Sequence, residues 1–448
     1  MKTLDQIAAE LQGYDPQAMS ADDVLTFLSR LVTPVQDMLE LPLFEALGRV
    51  LAADVISPFD VPPHDNSAMD GYAFAGGQLV ANATLELQVV GTALAGKAWR
   101  GRVQPGQCVK IMTGAVMPPG LDTVVPQEFI KLTQVGGVDC ITIPPALLRT
   151  GDNRRLRGED LMQGKPALQK GELLTPARLG LAASLGLETL KTWRPLRVAY
   201  FSTGDEILSP GEAPREGAVY DSNRYTIFGL LSRLGCQVID MGVVRDDPAL
   251  LEAAFTRAAT QADAIITSGG VSVGEADYTK AMMKKLGDVA FWRIAMRPGR
   301  PMAVGRILSV KSASCAYTTG ADSYENNSNR NAAMLFGLPG NPVAVMVTFL
   351  AFVRPALLQM MGANPEPTLL LKASSSEAIR KKPGRTEYQR GRVSTAPDGS
   401  LQVKTTGSQG SGVLSSMAEA NGLIVLHHGQ GNVAVGAEVD VMMFDGVI

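Results

Sequence analysis

The sequence has few of the side chains from which zinc sites and many catalytic sites are built. Three histidines occur in 448 residues, and the four cysteines lie far apart with no CxxC pair. Zinc sites need cysteine and histidine at close spacing, so the sequence predicts neither a zinc knuckle nor a histidine-rich metal site. We therefore expect aspartate and glutamate side chains to carry any acid–base chemistry and metal binding, and carboxylates favour hard cations such as Mg²⁺.

Long apolar runs and an excess of basic charge are also missing. The longest apolar run, 343–353, has 11 residues and is followed by Arg354 and Pro355. A membrane-spanning helix needs about 20, so we predict a buried helix there. The N-terminus shows no signal-peptide core, and the formal net charge is −3. We therefore expect a cytoplasmic protein with reduced cysteines and with neither a membrane nor nucleic acid among its partners.

A chain of 448 residues is too long to fold around a single hydrophobic core, and the residue patterns predict several domains. Residues 1–55 and 150–180 predict a helical or extended linker region, in which ADDVLTFLSRLV and EALGRVLAADV have the apolar spacing of helices. Residues 56–149 predict a β-rich domain, because short β-prone runs alternate with Gly and Pro turns.

The second half of the chain predicts two further domains. Residues 181–363 alternate strand and helix, which is typical of a doubly wound parallel α/β domain. Within it, the polar and aperiodic stretch 308–332 predicts a surface insertion. Residues 364–448 contain only short strand patterns and predict a closed or barrel-like sheet.

Four loops with unusual composition follow predicted strands of the α/β domain. They are STGDEI (202–207), VRDDP (244–248), SGGVSVGEAD (268–277) and GLPGNP (337–342). The carboxyl ends of parallel strands meet at one edge of a sheet, where ligands bind. Glycine lets backbone N–H groups approach a ligand closely, so this edge suits phosphate or another oxyanion.

Acidic residues in the same loops indicate a divalent cation. Glu206, Asp246, Asp247, Glu275 and Asp277 would converge on the predicted phosphate site. Carboxylates and phosphate repel each other unless a cation lies between them. Each acid alone also fits a helix cap or a solvated turn, and only their coincidence at one edge favours the metal.

Three further segments carry polar groups in clusters. MRPGRP (296–301), with Arg293 before it, offers planar donors for a tetrahedral oxyanion, although surface arginines beside a Pro-Gly turn fit as well. SPFDVPPHDNSAMDGYAF (57–74) includes Asp70, which also fits an ordinary turn. NRRLRGED (153–160) also fits a solvated charged face.

The order and spacing of these motifs resemble one known family. PPHDNSAMDGYA, IMTGA, RRLRGED, FSTGDE, YDSNRY, SGGVSVGEADY and GLPGNPV are similar to the motifs of the molybdopterin molybdenumtransferases, the MoeA family, which is similar to the E domain of gephyrin. The resemblance covers essentially the whole chain except 308–332. It implies insertion of molybdenum from molybdate into adenylylated molybdopterin with release of AMP.

The resemblance also implies roles for individual residues. Catalytic roles fall on Asp70, Thr113, Asp160, Glu206, Asp246 and Asp277. Substrate binding falls on Ser268, Gly269, Gly270, Ser272, Arg293, Arg297, Arg300, Pro339, Pro342, Arg390 and Ser411. The implied cofactor is Mg²⁺, held by Asp277 with Asp246 and Glu206. Four positions depart from the family pattern: arginines replace lysines at 293, 297 and 300, and Ala344 replaces a serine.

The resemblance further implies an assembly. A homodimer would form a cleft from residues 1–180 of one chain and 181–448 of the other, and the molybdopterin adenylyltransferase would make transient contact with it. Two other functions remain open from the residues. One is a related enzyme that adenylylates molybdopterin or cleaves a nucleotide pyrophosphate, and the other is a gephyrin-like scaffold. A dinucleotide dehydrogenase is disfavoured, because no GxGxxG follows the first α/β strand.

Overall fold

The computed structural model describes residues 2–11, 13–271, 278–309 and 332–444. Three of the residues predicted at the site, Ser272, Glu275 and Asp277, and all but the ends of the predicted insertion lie outside the described residues.

The N-terminal helices pack against the α/β domain. They span Leu4–Ala9 and Ala21–Leu31. The second begins with a capping box, in which the Ser20 side chain accepts from the Asp23 N–H and the Asp23 side chain accepts from the Ser20 N–H. Its buried face includes Phe27, whose ring meets Trp292 edge-on with centroids 4.9 Å apart. The ADDVLTFLSRLV prediction is therefore confirmed, and the helix packs against the α/β domain.

An extended region follows, where the sequence predicts a second helix. Its paired strands are Met38–Pro42 with Thr189–Trp193, Val55–Ile56 with Pro166–Leu168, and Asn66–Ser67 with Arg154–Arg155. The only helical elements of this region in the described chain are the 3-10 turn Leu43–Glu45 and the helix Pro176–Ser184. The helix predicted over EALGRVLAADV is wrong. Val50 and Leu51 instead form β-bridges to Leu173 and Thr192, so distant pairing overrides the local periodicity.

The β-rich domain is a six-stranded sheet, as the residue pattern predicts. Its strands in spatial order are Thr123–Pro126, Gly71–Phe74, Gln107–Ile111, Leu85–Ala93, Val138–Ile143 and Lys131–Val135. Two 3-10 turns, Gly76–Gln78 and Gln127–Phe129, follow the strands Gly71–Phe74 and Thr123–Pro126. The sheet places the Asp70 loop at the start of its second strand.

The α/β domain contains a mixed six-stranded sheet, and we number the elements of this domain alone. The strands are β1 Arg197–Thr203, β2 Gln237–Val244, β3 Ala264–Ser268, β4 Gly287–Arg293, β5 Pro301–Leu308 and β6 Ala332–Leu338. The spatial order is β2-β1-β3-β6-β5-β4. β1, β2, β3 and β6 are parallel, as predicted, whereas β5 is antiparallel to both of its neighbours. The sequence analysis did not predict β5.

Four helices cover this sheet. They are α1 Ser222–Arg233, α2 Pro248–Gln261, α3 Tyr278–Leu286 and α4 Pro342–Met360. A small parallel pair, Ile207–Leu208 with Val219–Tyr220, lies between β1 and α1. In α4, residues Phe349–Val353 form a π-helical turn just before Pro355, whose missing N–H removes one regular helical bond.

One helix of the described residues, α4, is long and apolar enough to span a membrane. Its most apolar 18-residue window is 72% buried within the fold. The core-helix prediction for 343–353 is therefore confirmed.

The C-terminal domain is a closed five-stranded barrel, as predicted. Its strands are Leu371–Ser375, Thr386–Thr395, Leu401–Thr405, Gly422–Leu426 and Glu438–Met443, and the short helix Ser415–Glu419 lies beside them. A two-residue strand of the α/β domain, Met296–Arg297, pairs in parallel with Thr386 and Glu387. This pairing joins the barrel to the edge of the central sheet.

Candidate functional site

A cavity of about 700 Å³ lies where the carboxyl edge of the central sheet meets the barrel. Loops after β1, β3, β4 and β6 form its floor, and a barrel loop closes one side. It is lined by Glu206, Gly269, Gly270, Val271, Met296, Arg297, Pro298, Gly299, Arg300, Pro301, Pro339, Gly340, Asn341, Ala344, Arg385, Gln409, Gly410 and Ser411. Seven predicted site residues therefore meet in one hollow: Glu206, Gly269, Gly270, Arg297, Arg300, Pro339 and Ser411.

The glycine loop after β3 has a backbone shape that requires glycine. Gly269 and Gly270 have φ angles of 92° and 64°. A Cβ on Gly269 would lie 2.5 Å from the Thr203 carbonyl oxygen, and one on Gly270 would lie 2.5 Å from Thr279 Cβ. The Gly269 N–H donates to the Leu338 carbonyl, so it holds the loop together and is not free to bind a ligand.

Hydroxyl groups support the same loop from below. Ser268 does not line the cavity. It is buried, and its Oγ lies 2.7 Å from the Tyr200 hydroxyl and 3.2 Å from Ser202 Oγ. Burial raises the pKa of Tyr200 and keeps the phenol protonated. Ser268 therefore supports the glycine loop and does not contact the cavity.

One predicted carboxylate of the described residues, Glu206, lines the cavity, whereas Asp246 lies outside the lining. The Asp246 N–H donates to Asp205 Oδ1 at 3.4 Å. Asp247 caps α2 by accepting from the N–H groups of Ala249 and Leu250, so it serves the helix. Among the residues that the structure describes, no three histidine, cysteine or acidic side chains are grouped to hold a metal.

Three arginines line the cavity, and one of them is not predicted from the sequence. Arg297 and Arg300 lie in the lining as expected, while Arg293 is exposed at the end of β4 and lies outside it. The third is Arg385, which precedes the barrel strand Thr386–Thr395. In the sequence, the one hint of a role for Arg385 is the stretch RTE, in which a glutamate follows the arginine by two residues.

Arg390 is buried behind the cavity wall and does not line the cavity. It is 1% exposed, and its guanidinium donates to Ser416 Oγ and to carbonyls of the 408–410 loop at 2.9–3.3 Å. Burial and the nearby charge of Arg297 lower its pKa to about 10, so it remains a cation at neutral pH. The Arg390 guanidinium thus holds the loop that carries Ser411, and it is not among the side chains that line the cavity.

The wall after β6 is rigid and partly apolar. Pro339 lines the cavity, whereas Pro342 is the first residue of α4 and lies outside the lining. Asn341 Nδ2 donates to Ser411 Oγ at 3.1 Å and joins this wall to the barrel. Ala344 also faces the cavity, so a methyl group occupies the wall where the family pattern has a hydroxyl.

Three further predicted residues, Asp70, Thr113 and Asp160, lie outside the cavity in the N-terminal parts of the chain. Asp70 Oδ1 accepts from both the N–H and the hydroxyl of Thr113 at 2.7 Å. These two bonds lower the pKa of Asp70. Asp160 is exposed, and its N–H donates to the Val61 carbonyl. None of the three lines the cavity of the same chain.

Comparisons with known proteins cover nearly the whole chain. Residues 19–186 match the model of the MoeA N-terminal region (domain I and II), 199–359 match a probable molybdopterin binding domain, and 372–444 match the MoeA C-terminal region (domain IV). The chain is 39% identical to the molybdopterin molybdenumtransferase of Haemophilus influenzae, over 91% of this chain and 94% of that one. It is 34% identical to the protein of the same name from a Nostoc species, over 96% and 95%.

A solved structure also matches over the full length. The molybdopterin biosynthesis MoeA protein of Pyrococcus horikoshii superposes with a TM-score of 0.75 at 26% identity. That superposition covers 95% of this chain and all of the other. The order of helical, β-rich, α/β and barrel parts is thus shared along both chains.

Proposed function

The chain belongs to the molybdopterin molybdenumtransferase family, and we propose on that basis that its cavity joins molybdate to adenylylated molybdopterin and releases AMP. Membership makes it a transferase of molybdenum cofactor biosynthesis, and the names of the curated relatives favour this function over adenylylation or a scaffold role. One observation carries the proposal: three arginines, a glycine loop and a carboxylate line the same hollow.

The arginines suit the oxyanion end of the reaction. Molybdate is a tetrahedral dianion, and planar guanidinium groups bind such oxyanions through paired N–H donors. Arg297, Arg300 and Arg385 would hold molybdate beside the sulfur atoms of the pterin. Binding both partners in one cavity converts a bimolecular step into one between neighbours.

The glycine loop and the acidic side suit the nucleotide end. Without side chains at 269 and 270, a phosphoanhydride can approach the backbone closely. We propose that AMP departs from this side of the cavity. Burial raises the pKa of Cys108 and Cys236 to about 12, and the described lining contains no cysteine, histidine or lysine. Electrostatic stabilisation, without a covalent intermediate, is therefore the proposed mechanism.

Magnesium is proposed as the cofactor on the chemistry of the oxygen donors. Mg²⁺ is commonly held by one or two carboxylates together with substrate phosphates, and Glu206 is the carboxylate of the described lining. Asp246, the second proposed ligand, lies outside that lining, and its N–H donates to Asp205 Oδ1. A bound Mg²⁺ would offset negative charge on the phosphates. Asp277, the third proposed ligand, lies outside the described residues.

We also propose a homodimer with a shared cleft. Asp70, Thr113 and Asp160 do not line the cavity of their own chain, so a partner chain would have to bring them to it. Exposed aromatic side chains on both halves of the molecule give such a partner an apolar surface: Phe44 is fully exposed, and Tyr225 and Phe228 of α1 are about half exposed.

The test is an assay with purified protein, adenylylated molybdopterin, Mg²⁺ and molybdate. The proposal predicts AMP release that depends on molybdate. An adenylyltransferase would instead turn over ATP without molybdate, and a scaffold would bind partners without releasing AMP. Either of those results would reject the proposed reaction.

A further inference from the structure

A buried carboxylate next to the cavity has no role in the reaction proposed above. Glu387 is 2% exposed and lies on the barrel strand Thr386–Thr395. Burying a carboxylate is costly unless it is paired and hydrogen-bonded. Its partners therefore indicate what it does.

Both oxygens of Glu387 are used, and one of them holds a cavity arginine. Arg385 Nε donates to Glu387 Oε1 at 2.8 Å, and Arg385 Nη2 lies 2.7 Å from the same oxygen. Gln389 Nε2 donates to Oε2 at 3.2 Å and fixes the carboxylate from the other side. A guanidinium has five N–H donors, and in the described part of the chain the remaining donors of Arg385 have no partner. They are available to a ligand.

The backbone places Glu387 beside a second cavity arginine. Arg297 and Glu387 are register partners in the short parallel pairing that joins the α/β domain to the barrel. The Thr386 N–H donates to the Ala295 carbonyl at 2.9 Å and fixes this junction. One carboxylate thus lies within a group of positive charges that includes Arg297, Arg385 and, behind the wall, Arg390.

We infer that Glu387 is a positioning residue that holds the Arg385 guanidinium in the orientation that binds the oxyanion in the cavity. This inference rests on the proposed function, because the oxyanion concerned is the molybdate of that reaction. Arg385 has a long flexible side chain that is about one-third exposed, so without a fixed partner it would sample many rotamers. The pair with Glu387 removes this freedom before the ligand arrives.

The direction of one kinetic change separates positioning from a simple charge effect. In Glu387→Gln the side chain keeps its size and loses its negative charge. If Glu387 only lowered the positive potential of the cavity, its neutralisation would strengthen anion binding and lower the KM for molybdate. If it positions Arg385, the KM for molybdate rises about tenfold while kcat changes less than about threefold, since an interaction in the bound state is lost.

A second measurement does not depend on turnover. Molybdate alone, titrated into the purified protein, raises the melting temperature by an amount set by the ratio of its concentration to its Kd. We expect Glu387→Gln to need about ten times more molybdate than the wild type for the same rise. Glu438→Gln is the matched control, because it makes the same change at an exposed ion pair with Lys372 in the same barrel.

A double variant shows whether the effect passes through Arg385. Glu387→Gln should change the KM for molybdate by less than about twofold in an Arg385→Ala background. If Glu387→Gln does not fold, Arg385→Lys replaces it: the lysine keeps the charge pair but has no planar fork, and the same rise in KM is expected.

Three results would overturn the inference: an unchanged or lower KM in Glu387→Gln, an undiminished effect in the double variant, or the same loss in Glu438→Gln. Failure of the proposed function is distinguishable, because it would appear as absent AMP release by the wild type. The molybdate titration would still test the positioning role in that case.

Discussion

Gly270 has a backbone conformation that other residues rarely adopt, and Thr279 occupies the space that its side chain would need. Its φ is 64°, and a Cβ would collide with Thr279 at 2.5 Å. The positive φ and the closeness of Thr279 both require glycine at this position, and together they determine the shape of the loop that forms the floor of the cavity. The sequence indicates the loop through its glycines, because glycine is the residue that such a turn requires.

Gly270→Ala should therefore reduce AMP release by at least about tenfold, because the loop must shift to relieve both the strained φ and the collision. Gly399→Ala is the matched control: its φ is also positive, at 86°, but nothing lies within 4 Å of its Cβ position. Steady-state AMP release measures both variants. Equal activities would show that the floor of the cavity tolerates a different shape.

The pair of Asp70 and Thr113 gives a prediction about pH. The N–H and then the hydroxyl of Thr113 lower the pKa of Asp70. A lowered carboxyl pKa means that the stabilising contribution is complete above the ordinary aspartate value and is lost as pH falls through the lowered value. In Thr113→Val the hydroxyl bond is lost and the N–H remains, so the pKa of Asp70 should rise toward its ordinary value. A carboxyl NMR titration of both proteins measures this, and an unchanged pKa would show that the hydroxyl contributes nothing.

At the residue scale, the spacing of motifs along the chain indicates which residues are candidates for the site, but it does not predict where their side chains point. The resemblance to the family gives Arg297, Arg300 and Ser411, and all three line the cavity. It also gives Arg390, which is buried behind the wall, because sequence letters do not show which face of a barrel strand points inward. Arg385 is missed because it lies just before that strand, outside the quoted motif.

At the scale of elements, strands with regular apolar patterns are predicted well and strands fixed by distant contacts are not. β1, β3 and β6 are apolar runs between turns, and the sequence predicts each of them. β5 begins with Pro301 and contains Gly305, both weak strand signals, and a Cβ on Gly305 would meet the Asp288 carbonyl of β4 at 2.1 Å. The close approach of β4 explains the glycine, and only the folded sheet reveals it.

The loop 408–411 is held by several contacts, of which the buried side chain of Arg390 makes three. Arg390 donates to the carbonyls of Ser408, Gln409 and Gly410 from a buried position. In Arg390→Met these acceptors lose their donors, which should lower the melting temperature by roughly 5–10 °C and expose the loop to protease. Activity should fall as Ser411 moves. Arg392→Met, an exposed change two residues along the same strand, should do neither. A melting scan and limited proteolysis compare the two, and similar behaviour would mean that the loop holds its shape unaided.

At the scale of the whole molecule, the predicted site residues divide into two groups. The α/β and barrel residues form the cavity, whereas Asp70, Thr113 and Asp160 lie in the N-terminal parts of the same chain. The four-part organisation follows from composition and periodicity, since each part has its own pattern of apolar residues. Whether and how two chains assemble depends on the complementarity of their surfaces, and the periodicity of a sequence does not predict that.

Mixed dimers test the shared cleft. Asp70→Asn and Glu206→Gln should each be inactive alone. After subunit exchange about half of the dimers are mixed, and each has one cleft without a mutation, so roughly a quarter of wild-type activity should return. Native mass spectrometry verifies the exchange. Verified exchange without recovered activity would show that each chain works with its own residues.

The central claim is that the cavity between the α/β domain and the barrel is where molybdate reacts. The most direct measurement is molybdate-dependent AMP release by the wild type, Arg300→Ala and Arg293→Ala, since only the first of these arginines lines the cavity. We predict a loss of at least about tenfold for Arg300→Ala and less than about twofold for Arg293→Ala. Equal effects of the two substitutions, or AMP release that does not depend on molybdate, would contradict the account.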